Sequence, residues 1–454
     1  MFDIRVKDIV EATGGKLLCG DENIEIKDVC IDSREIKPGD IFVPIIGEKV
    51  DAHIYIESVM ETAAATLTSQ HNGVVISDKP YIFVYDTQKA LQDIGTFIRN
   101  RFDIPMIGVT GSVGKTTTRE MISAALNECV NVYQTEKNYN SQIGTPIVLS
   151  RLTKDADVAV LEMGMSDFGQ MDILSKIVRP DICVVTMIGV AHIEFLKTQE
   201  NIRTEKLSIV NHMNPDGVLF LNGDDPMLAE VRGKTGVKTL YFGTSEECEY
   251  RAENIHIENY KYAYDYVHGD IRVPVVINAL GRHNVTNSLV GMAIADYMGL
   301  DLHKAAEGFA HFKGSRQNLI DIPGKYTIID DTYNASPDSM KAAINVISEL
   351  ESKGRKFVVL GDMFELGDNS ETFHYEIGEY IADKPIDELV VVGELAQNIM
   401  KAVEDKGSKV HCTTLKDTEE VALYLMSAMK PDDIVLLKAS NGMHLNRIVE
   451  NMRG

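Results

Sequence analysis

The most specific chemical signal in the chain is Val109-Thr110-Gly111-Ser112-Val113-Gly114-Lys115-Thr116-Thr117-Thr118. An apolar run, Met106-Ile107-Gly108-Val109, precedes it, and Met121, Ile122, Ala125 and Leu126 follow at helical spacing. That strand–loop–helix setting is what a phosphate-binding loop requires. Gly111 and Gly114 let backbone N–H groups converge on an anion, and the helix start adds positive potential. Lys115 supplies a point charge for outer phosphates, and the Thr116 hydroxyl a ligand for Mg²⁺. The longer nucleotide-hydrolase pattern asks for glycine at position 109; Val109 stands there, which leans away from GTPases and motors.

A nucleotide triphosphate is handled with Mg²⁺, and carboxylates at the C-terminal ends of parallel strands are natural further ligands. Glu162 follows Val158-Ala159-Val160-Leu161, and His192 follows Ile182-Cys183-Val184-Val185. Both are expected at the same sheet edge as the loop, with Glu194 competing with His192. Lys206 lies in a helical stretch, and composition alone makes it a solvated lysine.

These groups must be held by alternating strands and helices. Residues 1–102 mix short strands (Ile41-Phe42-Val43-Pro44 among them) with a helix over Thr87 to Asn100. Residues 103–313 alternate strand, loop and helix, with continuous apolar runs that indicate strands covered on both faces; residues 250–278 look like antiparallel strands appended to that sheet. Lys313-Gly314-Ser315-Arg316-Gln317 is a linker. Residues 314–454 alternate again, and Ser336-Pro337-Asp338 reads as a helix cap with proline at the first helical position. The fold class expected is α/β in three domains: a small mixed α/β N-terminal domain, a central doubly wound P-loop ATPase-like domain, and a C-terminal Rossmann-like α/β domain.

The 454 residues carry 45 Lys plus Arg against 68 Asp plus Glu, a net charge of −23. That balance argues against a nucleic-acid partner, since a phosphate backbone needs clustered cations. No apolar stretch is long enough to span a bilayer, and no secretion signal is visible. Six scattered cysteines without a Cys-x-x-Cys pair fit free thiols in a reducing compartment. A cytoplasmic protein is expected.

The phosphate loop, Glu162-Met163-Gly164-Met165, Ala191-His192-Ile193-Glu194, Leu280-Gly281-Arg282-His283-Asn284 and Ile329-Asp330-Asp331-Thr332-Tyr333-Asn334 occur in this order. Together they resemble the Mur ligases, ATP-dependent amide-forming enzymes of peptidoglycan precursor synthesis. Within the family, five further segments are similar to members that join D-alanyl-D-alanine to UDP-N-acetylmuramoyl-tripeptide. They are Asp32-Ser33-Arg34, Lys37-Pro38-Gly39-Asp40-Ile41-Phe42-Val43, Asn138-Tyr139-Asn140, Asn334-Ala335-Ser336-Pro337-Asp338-Ser339-Met340 and Gly361-Asp362-Met363-Phe364-Glu365-Leu366-Gly367. No Asp-Asn-Pro-Arg segment, used by the sibling that adds the third residue, is present.

The resemblance implies ATP held by Gly111, Ser112, Val113, Gly114, Lys115, Thr116 and Thr117. It places Asn284 at the adenine, Arg316 near the phosphates and Asp330 or Asp331 near the ribose. It implies Ser33 and Arg34 at the uridine nucleotide, with Asn138 and Asn140 also on the substrate side. Two Mg²⁺ ions are implied at Thr116, Glu162, His192 and Lys206, the last carbamylated by CO₂. Lys115, Glu162, His192 and Lys206 are then the catalytic set, and the enzyme is expected to be a monomer. Blander readings stand beside these: a turn at Asp32-Ser33-Arg34, a linker charge at Arg316, a helix N-cap at Asn284, a strand-end carboxylate at Asp330. His374 is a candidate for the dipeptide, against an exposed helix histidine. Rival functions are a folylpolyglutamate synthase and a non-ligase P-loop NTPase; no guanine-recognising Asn-Lys-x-Asp motif is present.

Overall fold

A computed structural model describes residues 4–47, 49–70, 77–258, 261–314 and 318–453. Among the described residues, three large sheets, each with its own apolar core, give three α/β domains, and Ile4–Arg5 pairs with Glu25–Ile26 as a separate two-stranded sheet. In the first domain the strands Asp28–Cys30, Asp40–Phe42, Ala65–Thr68 and Tyr81–Phe83 run parallel, and Lys16–Cys19 joins antiparallel. The helix Thr87–Arg99 starts where the Asp86 carboxylate accepts the Lys89 N–H, and it buries Leu91, Ile94 and Ile98. Buried Arg99 then donates to Val178 O at 2.7 Å, tying this domain to the next.

The central sheet has nine strands. Met106–Thr110 lies between Val158–Glu162 and Ile182–Val185, parallel to both. The chain thus leaves this strand on one side and returns on the other, the arrangement that opens a crevice at the strands' C-terminal ends. Alternate residues feed different faces: Ile107, Val109, Val158 and Val160 enter one core, while Met106, Ala159 and Leu161 enter the other. Burial on both faces explains why these strands read as unbroken apolar runs. Tyr250–Glu258, Lys261–His268 and Ile271–Ile277 extend the sheet, the last two pairings antiparallel as expected.

The C-terminal sheet has six strands, five of them parallel, with Asn318–Ile322 antiparallel at one edge. Ser336 caps the helix Pro337–Glu349, and Pro337 occupies its first turn. Strands that escape the apolar-run reading include Val132–Gln134, Thr239–Gly243, Asn318–Ile322 and His411–Leu415. Their partly exposed or polar sequences carry no continuous apolar signal.

Candidate active site

The loop after Met106–Thr110 sits at the topological switch point. The helix Lys115–Asn127 begins at Gly114, whose φ of 86° suits glycine. A Cβ on Gly111 would overlap the Thr186 hydroxyl, so only glycine lets the loop close on the neighbouring strand. That hydroxyl donates to Val113 O at 2.6 Å, and Ser112 N–H donates to Met187 O at 2.9 Å. The Lys115 ammonium donates to Gly111 O at 2.7 Å. The hydroxyls of Thr110 and Ser112 are buried without a hydrogen-bond partner.

A cavity of about 1220 Å³ opens over this loop, between the central and C-terminal domains. Glu162 ends its strand on the cavity wall and is 2% exposed. Its Oε1 accepts from Asn140 Nδ2 at 2.7 Å, whereas buried Oε2 has no hydrogen-bond partner and lies 3.9 Å from Arg119 Nε. A carboxylate oxygen left so is costly unless a cation completes it. His192, at φ 64°, shares a short contact of 2.5 Å between Nδ1 and Glu365 Oε2 of the C-terminal domain. The hydrogen bond to His192 holds the Glu365 carboxyl below its ordinary range.

Lys206 is not solvated: in the helix Gln199–Leu207 it is 1% exposed. Burial first, and the Lys115 charge second, push its amine well below the ordinary lysine range. Composition could not show this, because the helix buries Glu205 and Lys206 beside Ile202 while Glu200 and Thr204 stay exposed.

Asn284 lies within the first turn of the helix His283–Tyr297 rather than at its N-cap. It accepts from Asn287 Nδ2 at 2.9 Å, and Asn287 Oδ1 accepts the Thr118 hydroxyl at 3.1 Å. This chain fixes the cavity wall beside Gly114. Asp331 faces the cavity and accepts from buried Lys438 at 2.8 Å. Asp330 turns back instead, accepting from the Thr332 hydroxyl at 2.8 Å. Arg316 lies outside the described residues.

Ser33, Arg34 and Asn138 are not brought to this cavity. The Arg34 guanidinium donates to both oxygens of Asp32, at 2.8 and 2.6 Å, in an exposed turn, and that pairing draws the Asp32 carboxyl down to about 2. Asn138 is exposed, and its carbonyl accepts the Asn140 N–H. His374 corrects the expectation of an exposed helix histidine. It is fully buried; Nε2 accepts Met363 N–H at 2.9 Å and Nδ1 donates to Ser370 O at 2.6 Å. With both ring nitrogens committed to the 363–370 loop, it has no atom left for a dipeptide.

Sequence reasoning missed Asn287, Lys438, Asp338 and Glu365. The Asn284-x-x-Asn287 spacing, one helical turn, was a usable signal for the first. Lys438 ends an apolar strand and offers none.

The Mur ligase middle domain model matches residues 109–295, and the Mur ligase, glutamate ligase domain model matches residues 315–441. The UDP-N-acetylmuramoyl-tripeptide–D-alanyl-D-alanine ligase of Bacillus subtilis (strain 168) is 36% identical, over 100% of this chain and 99% of its own. The ligase of the same name from Escherichia coli (strain K12) is 28% identical, over 100% and 99%. Among solved structures, MurF from Acinetobacter baumannii superposes with a TM-score of 0.89 at 27% identity, covering 99% of this chain and 98% of that one. The MurF ligase of Thermotoga maritima in complex with ADP gives 0.82 at 28%, covering 95% and 98%. A folylpolyglutamate synthase from Mycobacterium tuberculosis shares the fold, with a TM-score of 0.62 at 16% identity, over 81% of this chain and 95% of that one. A glycine cradle at a switch point, a half-satisfied carboxylate beside it and full-length likeness to these enzymes lead to one conclusion: the chain belongs to the Mur ligase family.

Proposed function

We propose that this protein is an ATP-dependent ligase that joins D-alanyl-D-alanine to UDP-N-acetylmuramoyl-tripeptide in the cytoplasm, as a monomer. The observation that carries the reading is the phosphate-loop stretch 112–118 facing, across one cavity, the C-terminal residues Asp331 and Glu365. Residues 1–102 are assigned to the UDP-muramoyl peptide, with Ser33 and Arg34 for the uridine nucleotide and Asn138 and Asn140 for the peptide side. Residues 103–313 are assigned to ATP and 314–454 to closing the site.

The peptide's terminal carboxylate attacks the γ-phosphorus of ATP, and ADP departs. The dipeptide amine then attacks the acyl phosphate carbon, loses a proton, and expels inorganic phosphate. The backbone cradle and Lys115 hold the phosphates in line, so the protein contributes positioning and charge stabilisation. Asn284 is assigned to the adenine, Asp331 (with Asp330 behind it) to the ribose, and Arg316 to the phosphates.

Mg²⁺ bound at Thr116 and Glu162, with a second ion at His192 and Lys206, would neutralise the charge on the transferring phosphoryl group. The lone buried oxygen of Glu162 supports the first position. For the second, burial disfavours the ammonium form of Lys206, and the free amine can add to CO₂; loss of a proton then leaves a carbamate anion. The assay is phosphate release with each acceptor omitted in turn. Release should require both acceptors; release that persists without D-alanyl-D-alanine overturns the ligase reading, and chain growth on a folate-linked glutamate would replace it.

A further inference from the structure

Between the two domains that enclose the cavity runs a loop, residues 187–192. Its Met187 carbonyl accepts the phosphate-loop Ser112 N–H at 2.9 Å, and its Ile188 N–H donates to buried Asp225 at 2.9 Å. Both partners belong to the central domain. The next contacts come from the other side. Asp338, in the first turn of the C-terminal helix Pro337–Glu349, brings its carboxylate against the backbone at Gly189 and Val190. His192 meets Glu365, whose carbonyl also accepts the Glu194 N–H at 3.3 Å.

Gly189 lies between these anchors. A Cβ there would overlap Asp338 Oδ2, and would otherwise meet Ser112 Cβ at 3.4 Å, an ordinary contact. Its backbone is not in the left-handed region. A side chain there would displace the carboxylate of another domain, while the loop's own conformation does not call for glycine.

We propose that Asp338 is a positioning residue: its carboxylate enters the notch left by Gly189, docks the C-terminal domain on loop 187–192, and so sets His192 and the phosphate loop in their reacting arrangement. Glu365 is the second point of this clasp. The proposal rests on the ligase reading for its consequence in turnover, but the docking itself is measurable without turnover.

A bland account makes Asp338 only a first-turn acid that suits its helix dipole. The two accounts differ in a double-mutant cycle. In the full chain, Gly189→Ala and Asp338→Ala should each lower kcat about tenfold or more, while affinity for a non-hydrolysable ATP analogue stays within about threefold. The double variant should be no worse than the poorer single one, because removing the carboxylate also removes the clash. Asp338→Asn keeps an acceptor oxygen and should retain about a third or more of kcat.

Energy transfer between dyes on the central and C-terminal domains, read with the analogue alone, should drop in Gly189→Ala and Asp338→Ala and recover in Asp338→Asn. Parent-like kcat and transfer in Gly189→Ala, or losses that simply multiply in the double variant, overturn the clasp. If the parent makes no amide while the dyes respond as stated, the ligase reading falls and the docking stands.

Discussion

Two lysines near the phosphate loop are different chemical tools. Lys115 donates to the loop's own carbonyls and keeps its charge within reach of an incoming phosphate. Lys206 is shut away from water, and burial disfavours its charged form. Lys115→Ala should therefore lower turnover about a hundredfold or more, on the scale of losing one preorganised transition-state contact. Its melting temperature should stay near the parent's, because the side chain is part-buried and donates to the Gly111 carbonyl of its own loop. Near-normal activity in that variant would misplace the phosphate site. Lys206→Ala should lose activity comparably, but short carboxylic acids added to the assay should restore part of it, since they replace a carbamate anion and not an ammonium. Restoration by short amines instead would show that the parent uses Lys206 as a cation.

At the scale of elements, the loop 363–370 carries Glu365 to His192 and is held from beneath by His374. Its Nε2 must stay unprotonated to accept Met363 N–H, and burial, the largest influence, lowers its pKa. The sign follows directly. Below the ordinary histidine value of about 6.5, the unfolded chain binds a proton that the folded chain resists, so stability falls as pH falls. Melting temperatures between about pH 8 and about pH 5.5 should drop more in the parent than in His374→Gln. The variant itself should lose about 1–3 kcal/mol at the higher pH for its altered buried hydrogen bonds. Equal drops in both would remove His374 from the pH response. The same histidine shows where sequence reading ends. Local pattern placed the Met106–Thr110 strand, the glycine cradle, Glu162 at a strand end and Ser336 as a cap, because each depends on neighbours close in the chain. Burial of His374 and Lys206, the Asp331–Lys438 pair and the notch at Gly189 depend on segments brought together from far apart, and no spacing encodes them.

For the whole molecule, an acyl phosphate imposes the governing constraint: water reaching it would waste ATP, so the site must shut before chemistry. The C-terminal domain meets the central one through polar points, among them Glu365 with His192 and the Tyr262 hydroxyl donating to Glu349 at 2.5 Å, and through Val190 and Leu280, which pack against its core. The chain passes between the two domains through the segment around 313–317, while each keeps a separate apolar core. Separate cores over a short link, with Val190 and Leu280 of the central domain packing on the C-terminal core among the described residues, permit rigid-body swinging, whereas a broad apolar interface would forbid it. Small-angle scattering of the free protein should therefore report a wider distribution of shapes than scattering with a non-hydrolysable ATP analogue and both acceptors. The ligands should lower the radius of gyration, without reaching the ~22 Å expected of a single compact domain of this length, because three separate cores cannot merge into one. Superimposable profiles with and without ligands would mean that the domains are already locked, and that water is excluded by the substrates themselves.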